Sequence, residues 1–111
     1  MAGTSELLTA VTDADFAARV LASGLPVLVE FTADWCPPCR MMAPVLAELA
    51  AERAGTMHVV TLDVDVNPRT QSRYGVLSMP TLIVFRGGEP VKSMVGARAK
   101  AKLLRELAEV V

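Results

Sequence analysis

Two cysteines three residues apart, Cys36 and Cys39, constrain the fold of this chain more than any other feature. An apolar run at residues 27–32 leads into them, and a helical pattern from about 37 to 54 leads out. Because both cysteines lie where the strand pattern gives way to the helical one, the sequence predicts a strand, a short loop and a helix, with Cys36 at the junction.

The predicted helix start gives the Cys36 sulfur a particular environment. If Cys36 is the N-cap, Pro37 and Pro38 occupy the first two helical positions, where the missing proline N–H costs nothing. The backbone N–H groups of Cys39 and Arg40 are then the free donors of the first turn, and a Cys36 thiolate would receive them. These interactions lower the pKa of the Cys36 thiol, and the thiolate is the reactive form of cysteine. Cys39 can reach Cys36 to close a small disulfide ring, so the pair suits reversible redox chemistry.

Two other interpretations of the cysteine pair compete with redox chemistry. The spacing also suits half of a zinc site, but a structural zinc needs about four ligands and the chain adds only one remote histidine, His58. The pair could instead be a structural disulfide or two inert thiols, although so small a ring contributes little stability. We therefore favour the redox interpretation and expect no bound metal.

Length and composition indicate one folded domain. The chain has 111 residues, of which 52% are hydrophobic and 21% charged, so we expect a single domain over 1–111, with residues 1–5 as a flexible N-terminus. A net charge of −1 without a basic cluster argues against nucleic acid or an anionic membrane as a partner. No apolar run approaches the roughly 20 residues of a spanning helix. Residues 1–6 lack the pattern of a secretion signal, so the expected location is the cytoplasm.

Strand and helix patterns alternate along the chain. Strands are predicted at residues 7–11, 27–32, 57–65, 81–85 and 90–95, and helices after Asp15 and at 37–54, 67–74 and 97–110. A strand, a helix and a second strand joined by a long crossover imply parallel pairing, whereas Gly87-Gly88 indicates a hairpin. The order predicts an α/β fold in which helices cover both faces of a mixed sheet. Cys36 then lies at the carboxyl ends of the parallel strands, where such sheets bind ligands.

Glu30 is the one charged residue of its predicted strand. Alternation places it on the same face as Leu28 and Thr32. In a central strand that face is buried, and desolvation raises the pKa of a carboxyl group. A buried carboxylate near Cys39 can take or return its proton when Cys39 attacks a mixed disulfide, so we predict a proton-transfer role. The alternative is a glutamate on a solvent-facing side of the sheet.

Pro80 follows Met79 just before a predicted strand. X-Pro bonds are cis in only about one of twenty cases in folded proteins. The pattern by itself therefore makes Pro80 no more than a residue that starts a strand.

Several segments together resemble the thioredoxin family. They occur in family order and spacing from about residue 5 to the C-terminus, which is far more specific than the cysteine spacing alone. These segments are Trp35-Cys36-Pro37-Pro38-Cys39, the strand around Glu30, Pro44, Asp65-Val66-Asn67-Pro68, Tyr74-Gly75-Val76, Met79-Pro80-Thr81, Phe85-Arg86-Gly87-Gly88 and Val95-Gly96-Ala97. The resemblance implies the thioredoxin fold, a central mixed five-stranded sheet flanked by four helices.

The resemblance also implies roles for particular residues. Cys36 would be the exposed attacking thiol and Cys39 the resolving thiol, with a cis Met79–Pro80 bond against the disulfide. A shallow groove would bind an extended substrate strand. The residues implied to line this groove are Trp35, Pro37, Pro38, Met79, Val95, Gly96 and Ala97.

The activity implied by the resemblance is reduction of disulfides in other proteins through a reversible Cys36–Cys39 dithiol/disulfide couple. No cofactor would be bound, because electrons would come from NADPH through a flavin-dependent thioredoxin reductase, and a monomer is expected. Two alternatives stay open at this point. The protein could be an oxidant or isomerase if Pro37 destabilises the disulfide, or a binding module that docks extended peptides in the groove.

Four positions depart from the usual family pattern. Pro37 stands where glycine is usual between the cysteines, and residues there influence the reduction potential. Glu30 replaces the usual aspartate, and Thr61 stands where a lysine often lies near that carboxyl group. Without this positive partner, Glu30 is expected to be harder to ionise. Thr32 replaces a second tryptophan.

Overall fold

A computed structural model describes residues 8–111, and within them five strands form one sheet. The strands are β1 (Thr9–Ala10), β2 (Val27–Thr32), β3 (His58–Asp63), β4 (Thr81–Arg86) and β5 (Glu89–Val95). The α-helices are α1 (Pro37–Glu52), α2 (Pro68–Arg73) and α3 (Lys100–Leu107), and a short π-helical segment covers Ala17–Leu21. The predicted α/β fold is confirmed. Each helix of this part of the chain is too short or too polar to cross a membrane.

β2 lies at the centre of the sheet, whose strand order is β1-β3-β2-β4-β5. β3 runs parallel to β1 and β2, whereas β4 is antiparallel to β2 and β5. The predicted mixed sheet is therefore confirmed. Gly87 and Gly88 form the two-residue hairpin between β4 and β5, and both have the positive φ that such a turn requires, 60° and 82°.

Three elements differ clearly from their predictions, and β3 is shorter at both ends than the predicted 57–65. β1 covers only two residues of the strand predicted at 7–11, of which residue 7 lies outside the described residues, as do residues 1–5. The first predicted helix is a single π-helical segment. The last helix, predicted at 97–110, begins only at Lys100, because its N-cap residue Ala99 is extended with φ −65° and ψ 152°.

The alternating side chains of β2 divide the core into two layers. The layer on the α1 and α3 side contains Leu28, Met42, Leu46, Leu49, Leu103 and Leu107. The opposite layer contains Val27, Val29 and Phe31 together with Phe16, Val20 and Phe85. Burial of each large side chain stabilises the fold by about 1.5–3 kcal/mol, so the first layer fixes α1 and α3 against the central strand.

The ends of three neighbouring strands lie side by side along one edge of the sheet, the edge that runs across the strands. Phe31, near the end of β2, pairs with Thr81 at the start of β4, and Thr81 pairs with Val95 at the end of β5. The loop after β2, the segment before β4 and the segment after β5 therefore meet at this edge. The two cysteines, Pro80 and Gly96 belong to these three segments.

Candidate active site

Cys36 and Cys39 are joined by a disulfide at the N-terminus of α1, with their Cα atoms 5.3 Å apart. Cys36 is the N-cap residue, extended at φ −104° and ψ 100°, and Pro37 and Pro38 follow as the first helical residues. The backbone N–H of Cys39 donates to the Cys36 sulfur over 3.2 Å. The predicted cap is confirmed, and the same N–H would stabilise a negative charge on Cys36 after reduction.

The prediction that the Arg40 N–H also donates to the Cys36 sulfur is wrong. The backbone N–H of Arg40 donates instead to the Cys36 carbonyl oxygen over 3.2 Å, as a regular i to i−4 bond of the helix. The Arg40 side chain donates to the Asp34 carbonyl oxygen over 2.5 Å, so its guanidinium is held against the loop before the helix. Within the described residues, the sulfur therefore receives the N–H of Cys39 alone.

Both cysteines are buried, in contrast to the expected exposure of Cys36. Cys36 is 2% exposed and Cys39 is 3% exposed. The disulfide packs in the layer that contains Ala33 and Val76, and Met79 packs against the same cluster. The expectation of an exposed attacking sulfur is wrong for the disulfide form, because the disulfide belongs to this packed cluster.

The peptide bond between Met79 and Pro80 is cis, as the family resemblance implied. The Met79 carbonyl oxygen lies 3.6 Å from the Cys36 sulfur, a contact rather than a hydrogen bond because a disulfide sulfur carries no proton. Pro80 is buried, and its carbonyl oxygen accepts a hydrogen bond from the Gly96 N–H over 2.9 Å. The segments before β4 and after β5 are thereby tied together beside the disulfide.

The residues predicted to line a groove lie on the three segments that meet at this edge. The exposed ones are Trp35, Pro37, Pro38, Val95 and Ala97, and the half-buried ones are Met79 and Gly96. Trp35 is the largest of these residues and is 62% exposed, so a large apolar side chain faces solvent next to the buried disulfide. Apolar surface exposed in one place is typical of an interaction site. A role in substrate binding stays a prediction.

Asp65 is a site residue to which the sequence analysis gave no role. The Trp35 indole N–H donates to the Asp65 carboxylate over 2.8 Å, which orients a ring that is otherwise exposed. The backbone N–H of Asp65 donates in turn to the Asp63 carboxylate over 2.9 Å. Parallel pairing of Thr32 with Asp63 places the loops after β2 and β3 side by side. The predicted parallel pairing of these two strands was the signal that could have revealed this contact.

Glu30 is buried at the centre of the sheet, with 3% of its surface exposed. Its strand neighbours are Thr61 on β3 and Leu82 on β4, so both paired positions are uncharged. One carboxylate oxygen, Oε2, is buried without a hydrogen-bond partner among the described residues. Desolvation by burial raises the pKa of Glu30 from 4.5 to about 7. The alternative of a solvent-facing glutamate is therefore wrong.

The chemistry open to this arrangement is thiol–disulfide exchange. A disulfide that closes so small a ring contributes little to stability. The N–H that points at its sulfur instead favours the thiolate, which is the form that opens and re-forms disulfides. The fold and the site therefore define a thiol–disulfide oxidoreductase.

Comparison with known proteins gives the family. The Thioredoxin family profile matches residues 7–109. Thioredoxins of Mycobacterium tuberculosis and Mycobacterium bovis are 59% identical to this chain over 101 residues, which is 91% of this chain and 87% of each relative. A bifunctional thioredoxin reductase/thioredoxin of Mycobacterium leprae is 55% identical over 101 residues, 91% of this chain and 22% of that protein. The chain belongs to the thioredoxin family, and its activity is disulfide reduction.

Proposed function

We propose that Cys36 is the attacking thiol and Cys39 the resolving thiol in the reduction of disulfides in other proteins. The observation that carries this assignment is the hydrogen bond from the Cys39 N–H to the Cys36 sulfur, because it favours the thiolate on Cys36. Both cysteines are buried, but within the described residues the Cys39 sulfur receives no such N–H, so desolvation of a thiolate there is not compensated.

Each catalytic cycle transfers two electrons and two protons to the substrate. The Cys36 thiolate attacks one substrate sulfur, so a mixed disulfide forms and the other substrate sulfur leaves as a thiolate that takes up a proton. The Cys39 thiol then loses its proton and attacks the Cys36 sulfur. This closes the Cys36–Cys39 disulfide and releases the second substrate sulfur, which is protonated in turn.

Glu30 is the proposed acceptor of the Cys39 proton. Cys39 belongs to the cluster that contains Phe31 and Ala33 at the end of β2, and Met42, one turn further along α1, packs in the layer of Leu28. Glu30 lies on that same face of β2, two residues further toward the edge where α1 begins. A pKa of about 7 lets this carboxyl group accept and return a proton near neutral pH.

The apolar surface around the disulfide is the proposed groove for an extended segment of the substrate protein. Its residues are Trp35, Pro37, Pro38, Met79, Val95, Gly96 and Ala97. The Met79 backbone, whose carbonyl oxygen lies 3.6 Å from the Cys36 sulfur, offers groups with which such a segment can pair. Docking in the groove would bring the substrate disulfide against the Cys36 sulfur, beside the Met79 carbonyl oxygen.

The disulfide must be reduced again after each turnover. We propose that the electrons come from NADPH through a flavin-dependent thioredoxin reductase, with no cofactor bound to this chain. The M. leprae relative supports this partner, since its name joins thioredoxin reductase and thioredoxin in one protein. We also propose a single-domain monomer in the cytoplasm. The cytosol keeps thiols reduced, which a dithiol that reduces other proteins requires.

The two cysteine roles are tested by trapping the mixed disulfide. Cys39→Ser lacks the resolving thiol, so it should accumulate a covalent complex with insulin, whereas Cys36→Ser should form none. Non-reducing electrophoresis measures the complex, and dithiothreitol should release it. The reverse pattern, in which Cys36→Ser is the variant that traps insulin, would contradict the assignment.

A further inference from the structure

Arg98 directly follows the groove segment Val95–Ala97, and its side chain is only 8% exposed. Its Nη2 donates to the carbonyl oxygens of Val95 over 2.6 Å and Gly96 over 3.0 Å, and its Nε donates to Gly96 over 3.1 Å. Its Nη1 donates to both carboxylate oxygens of Glu106 on α3, each over 2.8 Å. The charge of this nearly buried guanidinium is thus neutralised by the Glu106 carboxylate, and its remaining N–H groups donate to two main-chain carbonyl oxygens.

The charge partner of Arg98 is held in its ionised form. The hydrogen bond from Arg98 is the main cause that lowers the pKa of Glu106, against a smaller opposing effect of burial. The carboxylate therefore stays charged at neutral pH and fixes the guanidinium against the first turns of α3.

The groove segment is held from its other side as well. The Gly96 N–H donates to the Pro80 carbonyl oxygen, and Gly96 has a φ of 96°, a conformation that favours glycine. The Arg98 backbone N–H lies 3.4 Å from the Met42 sulfur on α1. The segment is thereby fixed between Pro80, α1 and α3.

We propose that Arg98, held by Glu106, is a positioning residue that fixes this wall of the groove and makes the protein favour extended protein disulfides over small ones. The inference rests on the groove described under the proposed function. The guanidinium takes up part of the acceptor capacity of the Val95 and Gly96 carbonyl oxygens and fixes their orientation. A substrate strand is thereby directed to pair on the Met79 side, which sets its register beside the Cys36 sulfur. A small disulfide has no peptide strand to align, so its reaction rate does not depend on the position of this wall.

The test compares a protein disulfide with a small disulfide in the variant Arg98→Met, which keeps an aliphatic side chain and removes the guanidinium. The pre-reduced protein is mixed with insulin in a stopped-flow instrument, and fluorescence of Trp35, the only tryptophan of the chain, reports oxidation of the neighbouring Cys36. With the disulfide of nitrothiobenzoate, absorbance of the released thiol is followed instead. The insulin concentration at half-maximal rate should rise roughly tenfold. The rate with the small disulfide and the reduction potential should not change.

Lys100→Met is the matched control. Lys100 also connects α3 to a neighbouring element, through ion pairs with Glu48 and Glu52 on α1 at 2.9 and 2.6 Å. Its loss should leave both reactions unchanged. Arg98→Lys serves as a second variant, because it keeps the charge opposite Glu106 but a single ammonium cannot reproduce the planar set of donors. It should raise the half-saturating insulin concentration by an intermediate factor.

The possible outcomes separate the role of Arg98 from the proposed groove. Loss of reactivity toward both disulfides to the same extent, or no change toward either, would overturn the role of Arg98. If the wild-type protein shows no preference for insulin over the small disulfide, the groove itself is wrong and this inference fails with it. A wild-type preference that Arg98→Met and Arg98→Lys abolish or weaken supports it.

Discussion

A carboxyl group buried without a hydrogen-bond partner distinguishes Glu30 from every other acidic side chain described in residues 8–111. Its paired neighbours, Thr61 and Leu82, are uncharged, and its raised pKa of about 7 arises from desolvation. A group with this pKa is about half ionised at neutral pH, so it can accept a proton in one step and return it in another. The position is therefore more useful for proton transfer than for stability.

We expect Glu30→Gln to slow resolution of the mixed disulfide by about a hundredfold at pH values above the Glu30 pKa. In the wild-type protein, the rate should rise through about pH 7 as the carboxylate forms, and the variant should lack this rise. Stopped-flow fluorescence of Trp35 across a pH series measures the rate. Glu89→Gln, at the exposed start of β5, is the control and should keep the wild-type profile. A Glu30→Gln profile that matches the wild type would remove Glu30 from the mechanism.

At the scale of the elements, helix α2 depends on a cap from a distant part of the chain. Its own N-cap residue, Asn67, makes no capping hydrogen bond with its side chain. The Asp13 carboxylate accepts hydrogen bonds from the backbone N–H groups of Arg69 over 3.1 Å and Thr70 over 2.9 Å, and from the Thr70 hydroxyl over 2.6 Å. Asn67 in turn accepts the Asp13 N–H over 2.8 Å. These bonds fasten the loop after β1 to the start of α2.

Replacing Asp13 with alanine should lower the free energy of unfolding by about 1 kcal/mol at neutral pH. Burial opposes ionisation of Asp13, but the hydrogen bonds from Thr70 and Arg69 outweigh it and lower its pKa from 3.8. The contribution is therefore present above pH 3.8 and lost as the pH falls through the native pKa. Urea denaturation of both proteins across this range measures the difference. Asp34→Ala, in the exposed loop before the disulfide, is the control, and equal stability of Asp13→Ala and wild type at pH 7 would contradict the cap.

At the scale of the whole molecule, the sequence predicted what depends on local patterns. The alternation of β2, the N-cap at Cys36 and the hairpin at Gly87-Gly88 are each encoded within a few residues, and all three are confirmed. Together with chain order they were sufficient for the mixed sheet and for the edge at which the cysteines lie.

Contacts between distant segments could not be predicted in this way. The capping of α2 by Asp13, the bond from Trp35 to Asp65 and the contact of the Arg98 N–H with the Met42 sulfur join residues with no shared periodicity. The burial of Cys36 has the same origin, because it depends on how three separate segments pack. A capping pattern fixes the backbone around a sulfur but not the side chains that cover it.

Ionisation of Glu30 should make the free energy of unfolding of the whole molecule depend on pH. In the unfolded chain this carboxyl group ionises near its usual pKa of 4.5, and in the native protein near 7. Between these values the native state holds the extra proton, so the free energy of unfolding falls as the pH rises. Above about pH 8 the loss is complete and amounts to about 3 kcal/mol.

Glu30→Gln, studied in the disulfide form, should therefore be more stable than the wild-type protein by about 3 kcal/mol near pH 8 and by little near pH 4. Chemical denaturation at the two pH values measures this difference. Glu89→Gln should show no such pH dependence. A stabilisation of Glu30→Gln that is the same at both pH values, or absent at the higher one, would show that the buried group is not titrating as described.

The burial of the Cys36–Cys39 disulfide has a consequence for the flow of electrons in a cell. Small thiols such as glutathione are abundant, and a disulfide at the surface would exchange with them continuously. Two cysteines that are 2% and 3% exposed present almost no target to such encounters. A partner that docks in the groove is instead held beside the disulfide long enough to exchange with it. Burial thus lowers the rate of exchange with small thiols. Electrons are thereby kept on the route between dedicated partners and out of the general thiol pool.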